Sequence, residues 1–435
     1  MGLFSSKGHH HLDGHKELTK HQDVISITTG NFAPSEVYFP TLAPNGKPIN
    51  YVVKPGDEVK VGTLIGNRTD FEVPIYSSVS GKVVENQNIF SPQVGRNIPH
   101  IVISNDMKYE EVPSRKELMV TLENSKEEIF AALKGAGLVG MGGAGFPTYV
   151  KYNNVSNIDT LLINGVECEP YLTTDFVAMQ QDVDYLLSGA ELLLKLAGAK
   201  KAIIAFKVHK QEVKEKIVQR LDEHPYVSIC EVPDQYPMGW ERTLIKQVLK
   251  KEYDRLPSEA GVIVNNAQTV IELGKVFATG KVPATRLVTI SGDGINNPAN
   301  VLCPLGTLAC NLINACNGYV EGDIDLIPGG PMCSKAVKDD KFPILLPSGS
   351  ITVLKFVERH VQACLRCGAC SMHCPANLQP VELKLASERK DTDRMEKLNI
   401  MSCVECGLCS FVCPSKIDVT ESIKRGKLLY RLKKR

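Results

Sequence analysis

Three rhythms of hydrophobic and polar positions divide the chain. From about residue 34 to 105 the apolar residues come in short runs: Tyr51-Val52-Val53, Leu64-Ile65, Val73 with Ile75, and Val83-Val84. Gly, Pro and Asp punctuate them, as in Lys54-Pro55-Gly56-Asp57. Short β-branched runs between turn residues predict a small all-β unit. Residues 1–33, before it, read as a polar entry segment. The rhythm then lengthens. Ser125 and Glu128 form a capping box ahead of Ile129, Ala132 and Leu133, which predicts a helix start. Leu161-Leu162-Ile163 reads as a buried strand. Helices follow at about 182–197, 210–222 and 240–251, with strands at 202–206, 227–232 and 261–265. That alternation predicts an α/β unit with a largely parallel sheet. Near the end, Val381, Leu383, Leu385, Met395, Leu398 and Ile400 recur among many charges, which predicts helix rather than hairpin.

A length of 435 residues suggests about three domains. A net charge of +1 gives no electrostatic case for nucleic acid as a partner. No apolar run reaches the length of a membrane span; the best, Leu186–Leu196, is broken by Glu191 and Lys195. The first residues do not form a signal peptide. Met1-Gly2-Leu3-Phe4-Ser5-Ser6 fits an acylation pattern by accident, and His9, His10, His11 and His15 read as a solvated arm.

Cysteine usage changes the picture. Of fourteen cysteines, eight fall in two runs: Cys364-x2-Cys367-x2-Cys370-x3-Cys374-Pro and Cys403-x2-Cys406-x2-Cys409-x3-Cys413-Pro. Each run has the spacing that holds a [4Fe–4S] cluster, with the cysteine before proline reaching over to the other cluster. The predicted ligand sets are Cys364, Cys367, Cys370 and Cys413 for one cluster, and Cys403, Cys406, Cys409 and Cys374 for the other. Zinc takes paired ligands rather than a repeated triplet plus one, and a disulfide framework belongs to small secreted domains. Cys168, Cys230, Cys303, Cys310, Cys316 and Cys333 show no metal spacing and read as small buried residues. So many reduced thiols point to a reducing compartment, such as a bacterial cytoplasm.

A second dense stretch lies at 135–151, where six glycines fall within eleven residues before Phe146-Pro147-Thr148 and Lys151. Glycines let backbone amides approach a phosphate. Three polar turns follow predicted strands or open helices: Asn164–Pro170, Tyr236–Glu241 and Asn265–Thr269. Each alone is an ordinary capped turn. Together, beside the glycine loop, they describe a lined pocket at strand ends.

These stretches resemble a known family. Gly140–Thr148 with Lys151, Asn164–Pro170, Tyr236–Glu241 and the Asn265-Asn266 turn occur in this order in the flavin subunit of respiratory complex I, which has one C-terminal cluster. A β unit before the flavin domain and two clusters behind it resemble instead the C subunit of the Rnf ion-translocating electron-transport complex. The wording from Val53 to Val84 is similar to the biotinyl/lipoyl-type barrel-sandwich hybrid, but Ser78-Val79-Ser80-Gly81 replaces the carrier lysine at the hairpin tip. That implies a docking role. Residues 285–335 resemble a β-grasp segment of the soluble-ligand-binding type.

The resemblance implies a multidomain α/β and β protein. Its parts are a polar segment (1–33), a barrel-sandwich hybrid (34–112), and a Rossmann-like FMN/NADH-binding α/β domain (113–284). A β-grasp domain (285–340) and a helical two-cluster ferredoxin module with a basic tail (341–435) complete it. It implies non-covalent FMN and NAD(H), with Gly140, Gly142, Gly143, Gly145, Phe146, Lys151, Asn164, Glu167, Tyr236, Gly239, Asn265 and Asn266 at the cofactor. Glu169 and Glu241 are placed near the nicotinamide as positioning groups. Val166 and Trp240 depart from the complex I pattern, which has acidic residues there. The implied function is NADH oxidation for a membrane-bound Rnf complex, with electrons exchanged with partner subunits, including an iron–sulfur subunit. The implied location is the cytoplasmic face of a bacterial membrane, held peripherally. A soluble cobalamin reductase of similar domain set and a flavin-free structural adaptor are the alternatives. Seven of the twelve residues 424–435 are basic, which suggests either a frayed end or contact with anionic lipid.

Overall fold

The computed structural model describes residues 12, 14, 16–20 and 23–434. Met1–Ser6 and His9, His10, His11 and His15 lie outside the described residues.

The N-terminal β unit is two antiparallel sheets. One runs Glu36–Pro40, Arg96–Asn105, Gly81–Ser91, Glu58–Val59; the other runs Ile49–Tyr51, Leu64–Arg68, Pro74–Tyr76. Val37, Phe39, Ile65, Val79, Val83 and Ile103 fill the space between them, together with Leu305 from a later segment. The hairpin tip that bears a lysine in carrier domains is buried here. Ser78 Oγ donates to the Leu305 carbonyl at 2.5 Å, and a Cβ on Gly81 would lie 1.9 Å from the Ser104 carbonyl oxygen. A turn anchored in this way cannot swing.

The α/β unit has four parallel strands in the order Val227–Val232, Lys201–Lys207, Thr160–Asn164, Val262–Asn266. The expected capping box holds: Ser125 and Glu128 close the start of helix Lys126–Gly135. Helices Val183–Ala197 and Ala267–Thr279 cross closely. Glycine is required at the crossing, because a Cβ on Gly274 would lie 2.1 Å from the Tyr185 carbonyl oxygen.

A five-stranded sheet follows, in the order Ile25–Ser26, Ala299–Pro304, Thr285–Ser291, Ser350–Lys355, Ile324–Pro328. It draws in residues from two neighbouring segments. The sheet continues past residue 340, because Ile351, Thr352 and Val353 belong to a buried strand between Thr285–Ser291 and Ile324–Pro328. The entry segment is also not merely polar: Ile25 pairs with Val301, and Lys16 and Thr19 are buried against the α/β unit. Helices Pro380–Glu388 and Thr392–Lys397 occupy the interval between the cysteine runs, as the pattern predicted, and Val419–Lys433 closes the module.

Candidate functional site

Strands Thr160–Asn164 and Val262–Asn266 are neighbours at the point where the strand order reverses. The crevice beyond their carboxyl ends is where such sheets bind ligands. The predicted asparagines sit there, with Asn164 opposite Asn266 in the register. Asn164 Nδ2 donates to the Gly239 carbonyl at 2.7 Å, which brings the turn at 236–241 to the strand end. Asn265 Nδ2 donates to the Tyr152 hydroxyl. Asn266 Oδ1 caps helix Ala267–Thr279, and its Nδ2 donates to Asp175 Oδ2 at 2.9 Å.

The glycine loop lies over Asn266. It closes on itself, since the Gly140 amide donates to the Phe146 carbonyl at 2.7 Å. The Met141 amide donates to Thr269 Oγ1 at 3.0 Å, pinning the loop to the helix start. A Cβ on Gly142 would lie 3.3 Å from Asn266 Cβ. Gly143 has φ 103° and faces open space. The rear of the loop turns the other way. Gly145 lies against Pro347, and Phe146 meets Phe71 of the β unit edge-on at 5.6 Å.

Lys151 Nζ donates to the Val264 carbonyl at 2.6 Å. Burial pulls its pKa down, and Glu241 opposes that shift. Glu241 itself accepts from the Tyr253 hydroxyl at 2.9 Å. Glu167 is committed within the protein: it accepts the Asp175 amide at 2.8 Å and Lys210 Nζ at 3.2 Å. Burial, with Glu167 beside it, pushes Asp175 up to about 6, against the pull of Gln268, Lys210 and Arg286. Arg286 is fully buried and donates to the Ser348 carbonyl at 2.7 Å, the Met141 carbonyl at 2.9 Å and the Gln268 side chain. A polar chain therefore runs from Lys210 through Glu167, Asp175, Gln268 and Arg286 to the glycine loop. Sequence reasoning missed Asp175 and Arg286. Arg286 lies inside a β-branched strand, and nothing local marks it.

Glu169 and Tyr236 reach the segment at Met332–Cys333, and Tyr236 also reaches the second cysteine run. Glu169 Oε2 accepts the Met332 amide at 3.1 Å, and burial pushes its carboxyl upward. The Tyr236 hydroxyl lies 3.4 Å from Cys333 Sγ and donates to the Cys406 carbonyl at 2.5 Å. Tyr236, Cys168, Trp240, Met332, Cys406 and Leu408 form one packed group. The turn at 236–241 thus touches the second cysteine run directly.

The residues present fit the implied groups. Buried Asn265 Oδ1 and Thr148 Oγ1 have no hydrogen-bond partner, Gly143 leaves an open side, and Lys151 supplies a cation, as an FMN phosphate and ribityl chain require. All fourteen cysteines are free. Burial raises the Cys403, Cys406 and Cys409 thiols, and Cys374 packs against the same small core as Cys403 and Cys409. Among the described residues no three His, Cys, Asp or Glu side chains converge on a single ion. A cubane binds its four thiolates through different irons, so its ligands spread around a cavity.

Comparison with known proteins agrees with this layout. Residues 4–108 match the RnfC barrel sandwich hybrid domain, residues 133–275 the Nuo51 FMN-binding domain, and residues 363–417 the 4Fe-4S dicluster domain. The chain is 33% identical to the C subunit of the proton-translocating ferredoxin:NAD(+) oxidoreductase complex of Clostridium ljungdahlii, over 89% of this chain and 85% of that one. The chain belongs to the RnfC family. It is also 32% identical to the C subunit of the ion-translocating oxidoreductase complex of Rhodobacter capsulatus, over 91% of this chain and 78% of that protein. The Na(+)-translocating counterpart of Acetobacterium woodii is 31% identical, over 84% of each chain. An NAD+-reducing [NiFe]-hydrogenase in the air-oxidized state shares the fold, with a TM-score of 0.52 and 17% identity over 74% of this chain and 64% of that one. As a member of the family, the chain carries FMN and [4Fe–4S] clusters in domains of matching order. Among the described residues no helix is long and apolar enough to cross a membrane.

The basic tail is not a frayed end. Val419–Lys433 is a docked helix. Lys427 is buried and donates to the Cys403 carbonyl at 2.9 Å and to Glu405, while Lys433 and Lys434 pair with Asp393 and Glu396. Most of its charge is used inside the module.

Proposed function

We propose that this chain is the NADH-oxidising, electron-input subunit of a membrane-bound Rnf complex. One observation carries the reading: Tyr236, in the turn beside the strand-end pocket, is hydrogen-bonded to Cys406 in the second cysteine run. A flavin pocket and a cluster module built edge to edge suit electron transfer between them. FMN, when bound, exchanges a hydride with NADH and single electrons with clusters.

In this reading the chain's own residues bind and orient. Amides of Gly140, Gly142 and Gly143 face the phosphate, with Gly145 and Phe146 shaping the rear of the loop. Asn164, Asn265, Asn266, Gly239 and Tyr236 border the flavin. Glu167 holds the strand-end turn rather than the cofactor. Lys151 balances phosphate charge, and Glu241 and Glu169 flank the nicotinamide side. The sheet from residue 285 to 355 serves as a β-grasp brace, with Arg286 reaching the loop. Electrons pass to partner subunits, one of them an iron–sulfur protein, at the cytoplasmic face of the membrane. Leu428, Arg431 and Leu432 are exposed on the tail helix and available to meet anionic lipid.

The test is anaerobic purification with flavin, iron and NADH bleaching measured together. One flavin and two [4Fe–4S] clusters per chain, all bleached by NADH, support the reading; protein that binds flavin but is not bleached by NADH contradicts it. Lys151→Ala is expected to weaken nucleotide binding by about 1.5–3 kcal/mol. Glu241→Gln alters NADH turnover and leaves the clusters intact.

A further inference from the structure

The two cysteine runs are copies of one backbone. Arg366 and Glu405 have φ 52° and 58°, and Gly368 and Gly407 have φ 76° and 78°. The first sulfur of each run accepts the amide two residues on, from Arg366 and from Glu405, each at 3.4 Å. Equivalent positions can therefore be compared directly, and they differ in what covers them.

The second run is covered by the rest of the protein. Cys406 is 7% and Leu408 0% exposed, and Val404 packs in the group around Tyr236 and Met332. Tyr236 takes the Cys406 carbonyl. A Cβ on Gly407 would lie 2.1 Å from the Met332 carbonyl oxygen. Among the described residues the first run has no such cover. Cys364 and Cys367 are exposed, Leu365 is 66% exposed, and a Cβ on Gly368 would meet nothing within 4 Å. Phe356, Val357 and Val361, in the segment leading into this run, are each more than half exposed, as is Met372 within it. So many large apolar side chains left exposed in and just before a redox ligand run suit an interaction site. Arg366, also exposed, stands where the covered run has Glu405 paired with Lys427.

We propose that this bare face is the docking surface for a second electron-transferring subunit of the same complex. That partner covers Val357, Val361 and Leu365 with an apolar surface. It sets a carboxylate beside Arg366, and it donates a hydrogen bond to the Cys367 carbonyl as Tyr236 does to that of Cys406. The inference rests on the electron-input reading: the run covered by the flavin-type turn is the entry, so the bare run is the exit. An apolar core with a few aimed polar groups is the usual anatomy of such a contact.

The test uses the complex isolated anaerobically from cells making the full-length chain as wild type, Val361→Glu or Leu365→Glu. Iron content and NADH oxidation by ferricyanide report on the chain itself. Both are expected to stay within about twofold of wild type, while NADH-driven electron transfer to the rest of the complex falls at least about tenfold and its subunits separate on purification. Val361 lies outside the cysteine run, so Val361→Glu keeps the test valid if Leu365→Glu loses iron. Full transfer with subunits retained in Val361→Glu overturns the docking face. A purified chain that is dimeric as wild type and monomeric as Val361→Glu assigns the face to a second copy and overturns the partner. Wild-type chain that does not oxidise NADH fails the electron-input reading instead, and subunit retention then remains the readout of docking.

Discussion

The Tyr236 hydroxyl donates to the Cys406 carbonyl across a separation of 170 residues. It is the point where the turn at 236–241, tied to the strand end through Asn164, meets the cluster module. The ring is buried, and the same oxygen lies 3.4 Å from Cys333 Sγ. Tyr236→Phe keeps the packing and leaves a buried carbonyl without its donor, at a cost of about 1–3 kcal/mol. Flavin and iron content are expected to hold, while the EPR spectrum of the second cluster changes and its reduction by NADH slows. An unchanged spectrum and rate would show that the contact is only packing.

Cys374 packs against the same small core as Cys403 and Cys409, and the run spacing predicts that it ligates their cluster. Cys374→Ala is therefore expected to damage the cluster of the second run and spare that of Cys364, Cys367 and Cys370. EPR of the single variant decides this, and loss of the other signal would reverse the pairing.

Lys427 braces the second run through the Cys403 carbonyl and Glu405. Lys427→Met is expected to cost about 1–3 kcal/mol, toward the low end because Glu405 is partly exposed. Removing residues 427–435 removes this brace, so truncation is expected to lower iron content as well as membrane retention. Thermal unfolding and iron assay of the two variants check this. A truncated chain with full iron content would return the tail to a purely peripheral role.

His100 is buried in strand Arg96–Asn105, with Nδ1 on the Ile98 carbonyl at 2.9 Å and Nε2 unpartnered. Burial lowers its pKa to about 4, against the Ile98 bond. Between the ordinary value of 6.5 and about 4 the unfolded chain binds the proton and the folded chain does not. Stability of the β unit is therefore lost as pH falls through that window. His100→Gln keeps the donor and removes the titration, so melting temperature against pH is expected to flatten there.

Legibility in the sequence followed the range of the interactions. The dicluster domain was readable because four cysteines at fixed spacing, repeated, are a local signal. The four parallel strands were readable because runs such as Leu161-Leu162-Ile163 are buried on both faces. The glycine loop was readable as a loop, but not its two-sided placement, with Gly142 on Asn266 and Phe146 on Phe71. Arg286, Lys427 and Lys16 were not readable as buried residues, because a charged side chain is buried only where tertiary packing brings it partners. The tail misled for the same reason. Its basic residues look free in sequence, and their carbonyl and carboxylate partners come from other helices.

The central claim is that electrons from NADH enter the cluster module at the Tyr236–Cys406 junction. Rapid-freeze EPR of anaerobically reconstituted chain mixed with NADH tests it most directly, with cluster signals assigned from cysteine variants. The cluster of Cys403, Cys406, Cys409 and Cys374 is expected to be reduced before that of Cys364, Cys367, Cys370 and Cys413, and Tyr236→Phe is expected to delay both. Reduction of the first-run cluster ahead of the second, with no delay in Tyr236→Phe, would contradict it.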